Sequence, residues 1–299
     1  MIEHPEAVTF ARQLNATVRG KTIASAIRGN TPHKFAFYRL PAEEYEQALV
    51  GRAIGESVAW GSLVLVACEP DYVLALGDGG ERILYHPDAT TCPEKHHLLL
   101  QFADGSGLSV SVQGWGSVRL LHRSEIDGDN AWTGHAGSEH VSPLDGAFTP
   151  DYFLGLFDGL REGDPRSVKQ LVVSEPGVWG VGNGCLQDVL YRAGIHPRRR
   201  AISLSDTERR SLHAALREVV GEAAALGGRS SERDLFNQPG GYVRAMSSET
   251  AGTPCPRCGA IIEKAQYLGG AVYWCPGCQP LDLWSSRRHH SAEPVGDEG

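Results

Sequence analysis

The chain has no excess of positive charge: 28 Lys+Arg stand against 36 Asp+Glu, a formal net charge of −8 over 299 residues. Bulk electrostatics therefore do not favour a polyanion, and any such partner depends on local patches. The imbalance is uneven. Residues 1–140 hold 11 Lys+Arg against 17 Asp+Glu, and residues 141–299 hold 17 against 19. The candidate patches are Arg198 to Arg200, Arg209 with Arg210, and Arg229 with Arg233. No apolar run is long enough to span a bilayer, and the N-terminus lacks the basic-then-apolar layout of a signal peptide. No membrane role is expected, and the expected location is cytoplasmic. Three of the seven cysteines, Cys68, Cys92 and Cys185, are scattered without a disulfide framework, which suits a reducing compartment. No internal repeat is present, and the length is comfortable for two domains.

The other four cysteines are arranged. Cys255 and Cys258 form one C-x-x-C, Cys275 and Cys278 a second, with sixteen residues between the pairs. Each pair is a tight turn offering two thiolates, and two such turns supply the tetrahedral set that a structural Zn²⁺ takes. A ribbon over 251–283 is too small to bury a core alone, so the metal is expected to fold it.

Residues 5–18 read as a helix, with Ala7, Phe10, Ala11 and Leu14 at helical spacing. Strand patterns follow at 63–67, 72–76, 83–85, 98–102, 108–112 and 118–121, punctuated by turn pairs such as Asp78-Gly79 and Asp104-Gly105. A short helix over 43–50 interrupts them. The set predicts a leading helix and a two-layered antiparallel sandwich over 1–125. Residues 126–140 read as a linker. Residues 141–250 turn helical: Thr149 caps a helix with Pro150 at its first position, Asp164-Pro165 repeats that start signal, and Ser205 with Glu208 forms a capping box before a helix ended by Gly227-Gly228. Residues 284–299 read as a disordered tail. The fold class is α+β.

Gly180, Gly182 and Asn183 lead into another helix. Glycines there let a bound group approach the free N–H groups, and the helix dipole suits a phosphate. Asn183 is placed either to cap the helix or to donate to that phosphate. His96 with His97, and His289 with His290, are weaker candidates for metal binding. Lys34 is a surface lysine or a spare amine.

Lys169, the Gly180–Asn183 turn, Asp188, residues 193–197 (Ala-Gly-Ile-His-Pro), the capped helix, Gly241-Tyr242 and the four-cysteine ribbon together resemble the formamidopyrimidine-DNA glycosylase / endonuclease VIII group. The resemblance covers about residues 141–280. It extends to the opening Met1 to Glu6 and to the run ending in His96. It implies a helix–two-turns–helix module and a zinc ribbon that clasp DNA backbone, behind a β-sandwich. It further implies that Lys169, Asn183 and His96 hold phosphates and that Trp115 is an aromatic wedge. The implied partner is double-stranded DNA carrying a damaged base or abasic site, bound by a monomer.

The departures fall on the chemistry. The group's nucleophile is an N-terminal proline amine; Ile2 stands there, which leaves the free amine on Met1. Ser62 aligns with the group's lysine, Gly270 with its ribbon arginine, and Asp78 and Gln113 with side chains that fill the gap of the everted base. Glu3 and Glu6 match the group's acids. The catalytic candidates are therefore Glu3, Glu6 and Met1. Glu3 is read either as activating water for hydrolysis of an N-glycosidic bond, with AP-lyase activity open, or as a helix-terminal charge. The expected function is base-excision repair by a DNA glycosylase. Two alternatives stand beside it: a non-catalytic reader of damaged or abasic DNA, and a zinc-ribbon adaptor that binds protein.

Overall fold

The computed structural model describes residues 1–29, 33–125, 140–174 and 176–281. Most of the expected linker, and the whole expected tail with His289 and His290, lie outside these residues.

Helix α1 (His4–Thr17) opens the chain, with Pro5 in its first turn and Glu6 turning back on the Glu3 N–H at 2.9 Å. Then follow β1 (Ile23–Arg28), β2 (Ala36–Phe37), α2 (Ala42–Leu49), β3 (Ala53–Trp60), β4 (Leu63–Glu69), β5 (Tyr72–Gly77), β6 (Glu81–His86), β7 (Leu98–Phe102), β8 (Gly107–Val112) and β9 (Gly116–His122). They build two layers, one in the order β1-β7-β8-β6 and one in the order β2-β9-β5-β4-β3. All pairings are antiparallel except the two-residue edge strand β2, which runs parallel to β9. Ile23, Ile54, Leu74, Leu76, Ile83, Leu98, Leu100 and Val110 fill the space between the layers, and Phe10 and Leu14 of α1 join the same core. Burial at such positions supplies about 25 cal/mol per Å² of apolar surface.

The helical half holds α3 (Pro150–Gly155), α4 (Val168–Val173), α5 (Asn183–Ala193) and α6 (Asp206–Ala225) around a separate core that includes Phe148, Phe153, Leu186, Leu190, Leu212 and Leu216. Thr149 caps α3 and Ser205 caps α6 as the sequence predicts. The predicted start at Asp164-Pro165 does not occur. The Asp164 carboxylate is held by Arg166 at 2.7 Å, and α4 begins three residues later under a Ser167 cap. Strands β10 (Glu263–Tyr267) and β11 (Gly270–Trp274) form the ribbon hairpin. Among the described residues no helix is long and apolar enough to cross a membrane.

Candidate functional site

The opening residues lie at the seam between the two halves. Ile2 is buried and its backbone N–H donates to the Gly79 carbonyl at 2.7 Å. The amide nitrogen of Ile2 is thus spent on a main-chain hydrogen bond. The Met1 ammonium points outward, 2.7 Å from Glu232.

Glu3 is buried, and its carboxylate accepts from the N–H groups of Gly182 (3.0 Å), Gly184 (2.7 Å) and Cys185 (3.0 Å) and from Arg229 Nη1 (2.9 Å). It therefore occupies the N-terminus of α5, where the sequence suggests a phosphate. The orphan N–H groups and the helix dipole act as expected, but the anion they bind is the chain's own. Glu6 is equally buried and takes Arg229 through Nε, Nη2 and the backbone N–H. Burial pushes the Glu3 carboxyl up, but the Arg229 charge and the Cys185 and Gly184 donors outweigh it and bring it below the ordinary range. Glu3 is held as a carboxylate with its oxygens saturated.

Two glycines make this approach possible. A Cβ on Gly184 would lie 1.5 Å from Arg229 Nη1, and Gly180, at φ +80°, would press on Gly61 and His4. Arg229, predicted as part of a surface patch, is instead the buried counter-ion of both acids, and it also donates to the Met1 carbonyl. The other predicted patches are also partly engaged: Arg199 pairs with Glu208, and Arg209 lies over the Phe157 ring.

Between the halves lies a cavity of about 290 Å³ whose lining includes Met1, Glu3, Ser62, Asp78, Trp115 and Trp179. Ser62 Oγ donates to the Asp78 carboxylate at 2.8 Å. Trp179 packs against Trp60, with centroids 4.9 Å apart, and against His140 at 4.7 Å. Among the described residues, no lysine lines the cavity. Sequence reasoning missed Trp179; its only signal was a large aromatic just before the glycine turn. Glu6 does not line this cavity but a smaller one behind it, of about 100 Å³.

A second cluster forms where the helices meet the ribbon. Lys169 is buried and its Nζ donates to the Tyr267 carbonyl at 2.6 Å. Burial lowers its pKa. Asn183 does not cap α5; Gly182 holds that position, and the Asn183 amide donates to the Ala271 carbonyl at 2.9 Å. A Cβ on Gly270 would point at both, 3.3 Å from Asn183 Nδ2 and 3.7 Å from Lys169 Nζ. In this structure the two predicted phosphate donors hold the turn of the hairpin. His96 and His97 are buried just before β7, with His96 Nδ1 3.2 Å from the Pro93 carbonyl.

The sulfurs of Cys255, Cys258, Cys275 and Cys278 lie within 4.8 Å of one another. Cys255 and Cys278 are 3.8 Å apart and Cys258 and Cys275 3.3 Å. Four thiolates at about 2.3 Å from a central ion would be separated by about 3.8 Å, so the cluster fits one structural Zn²⁺. Tyr191 of α5 reaches the set, its hydroxyl 3.2 Å from Cys255 Sγ.

The arrangement has close relatives. Residues 1–113 match the model of the formamidopyrimidine-DNA glycosylase N-terminal domain, and residues 141–234 that of the formamidopyrimidine-DNA glycosylase H2TH domain. The formamidopyrimidine-DNA glycosylase of Thermus thermophilus is 32% identical over 292 residues, covering 93% of this chain and 98% of its own. The chain belongs to the formamidopyrimidine-DNA glycosylase family. A second family member, from Shouchella clausii, is 30% identical over 94% of this chain and 99% of its own. Among solved structures, the Thermus thermophilus formamidopyrimidine-DNA glycosylase superposes with a TM-score of 0.76 at 28% identity, covering 93% of this chain and 98% of that one. The Lactococcus lactis enzyme in complex with DNA containing an abasic site gives 0.80 at 24% identity, covering 93% of this chain and all of that one, a likeness of fold.

Proposed function

We propose that this chain binds duplex DNA at a damaged or abasic nucleotide, admits the everted nucleotide to the cavity between its halves, and performs no imine chemistry there. Membership of a family of DNA glycosylases supports the partner. The observation that carries the rest is the nitrogen at position 2, buried and donating to Gly79 O, beside a cavity whose lining, among the described residues, holds Ser62 and no lysine. Extruding a nucleotide costs a few kcal/mol, least for a damaged or missing base, so a cavity can select lesions without cutting.

A second reading has its own support: Glu3 is ionised and lines the same cavity, so a water held there has a carboxylate beside it. Hydrolytic base release without a lyase step follows from that reading. The saturation of Glu3 by four donors weakens it as a base and favours the first. A panel of lesion-bearing duplexes with three readouts separates them. Lesion-selective binding with neither base release nor borohydride trapping is the expected result. Base release without trapping favours the water mechanism, and a trapped covalent adduct refutes both. Absence of lesion-selective binding at low salt overturns the DNA-repair reading.

A further inference from the structure

The aromatic lining of the cavity continues past its rim onto an exposed surface. Trp115 lines the cavity yet is 45% exposed, and Phe35 and Phe37 on the sheet edge beside it are 48% and 44% exposed. The pairing of Ala36 with Gly116 and of Phe37 with Ser117 brings Phe35 alongside Trp115, and the Gly116 N–H donates to the Phe35 carbonyl at 3.0 Å. Neighbouring strands run about 4.8 Å apart, so the Phe35 and Trp115 rings rise from adjacent backbones. Lys34 places its ammonium 5.4 Å from the Phe35 ring centre. The acidic neighbour is turned inward: the Asp78 carboxylate accepts from Ser62.

Clustered, half-exposed aromatics on a protein of this size mark an interaction surface. An aromatic face beside a cation suits an unstacked nucleobase and its phosphate, because each base has a π-face and each phosphate a charge. β2 is also a two-residue edge strand of its sheet, and Phe35, the residue before it, is half exposed.

Resting on the proposed DNA reading, we propose that Phe35 and Trp115 form a paired wedge in which Phe35 stacks the unpaired base opposite the everted nucleotide, with Lys34 on its phosphate. Trp115 fills the gap on the cavity side and Phe35 takes the orphaned partner. The partner strand is thereby held open while the lesion is read.

The test compares wild type, Phe35→Ala, Phe35→Trp and Lys34→Ala on two duplexes, one with a tetrahydrofuran abasic analogue and one undamaged. Phe35→Ala is expected to weaken binding to the abasic duplex about 5- to 100-fold, the loss of one base–aromatic contact. Binding to undamaged duplex should stay within about twofold, since no base is unstacked there, and Phe35→Trp should restore the lesion preference. Lys34→Ala should flatten the salt dependence by roughly one phosphate contact. Equal weakening on both duplexes, or no change on the abasic one, overturns the wedge while leaving lesion binding by wild type intact. A wild type that does not distinguish the two duplexes removes the underlying reading as well.

Discussion

Replacing Glu3 by Gln tests how the seam is held. The carboxylate accepts from Gly182, Gly184, Cys185 and Arg229 at 2.7–3.0 Å, and it is buried. Glutamine keeps the volume but offers one acceptor oxygen, and its NH₂ would face N–H donors. Arg229 would keep Glu6 at 2.7 Å and the more distant Glu232 at 3.9 Å, and lose one of its two buried carboxylate partners. Breaking one side of a buried, hydrogen-bonded ion pair costs about 3–5 kcal/mol. For a chain of this size each kcal/mol lowers the melting midpoint by about 2–4 °C, so the expected fall is about 6–20 °C. Urea and thermal unfolding of wild type, Glu3→Gln and an exposed-pair control away from the seam, Glu69→Gln, measure it. The pH dependence supplies a second check. Because the folded pKa of Glu3 lies below its ordinary value, its contribution is full above that ordinary value and is lost as pH falls through the lowered one. The gap between wild type and Glu3→Gln should therefore narrow in acid. A loss below about 1 kcal/mol at neutral pH, the worth of an exposed pair, would refute the assignment of Glu3 as the anion of α5. Loss of base release in this variant would not by itself make Glu3 a general base, since the same change loosens the cavity wall.

Glu81 should behave in the opposite sense. Burial pushes its carboxyl up to about 8, and one of its oxygens is buried without a hydrogen-bond partner. Its contribution is present below the ordinary carboxylate range and lost as pH rises through about 8, so Glu81→Gln should flatten the decline of stability between those limits in a pH series of urea melts; an unchanged decline counts against it. Gly270→Arg should insert a guanidinium beside Lys169 and Asn183. One added phosphate contact steepens the plot of log affinity against log salt by about 0.9, and an unchanged slope argues that the hairpin turn stays away from DNA. Tyr191→Phe removes the hydroxyl from Cys255, at a cost of about 1 kcal/mol, and should speed both zinc release to a chromogenic chelator and thiol alkylation. Equal rates would show that the contact does not protect the metal. Stripping the zinc should expose residues 251–281 to protease while the sandwich stays intact, because the ribbon core is small and shares two of its buried members, Cys255 and Cys275, with the metal set.

Much of this was legible in the order of residues. The strands at Leu98–Phe102 and Leu63–Glu69 announce themselves by β-branched and leucine-rich runs between turn pairs, and the Ser205–Glu208 capping box and paired C-x-x-C motifs are local chemistry. Three strands were not legible. β1 reads Ile-Ala-Ser-Ala-Ile-Arg, with little contrast between its faces. β3 carries Gly55 and Glu56 and a register shift between Ile54 and Ser57, which breaks its alternation. β2 is two residues long and exists through its parallel partner. At the site, the acids were legible and their counter-ion was not. Arg229 lies 226 residues from Glu3, and nothing local in a Gly-Gly-Arg run separates a surface cation from a buried one. The same distance hides the capture of the α5 N-terminus by Glu3: a glycine turn before a helix advertises an anion site without saying whose anion fills it.

The Arg229 knot has a consequence for how the molecule comes into being. Emerging from the ribosome, the first helix and its N-cap residue carry two acids destined for the interior, and the cation that pairs with them is translated more than two hundred residues afterwards. Until then the opening turn must stay hydrated and loose. A sandwich cut away from the residues that follow it would therefore keep two interior acids and lose the cation that pairs with both.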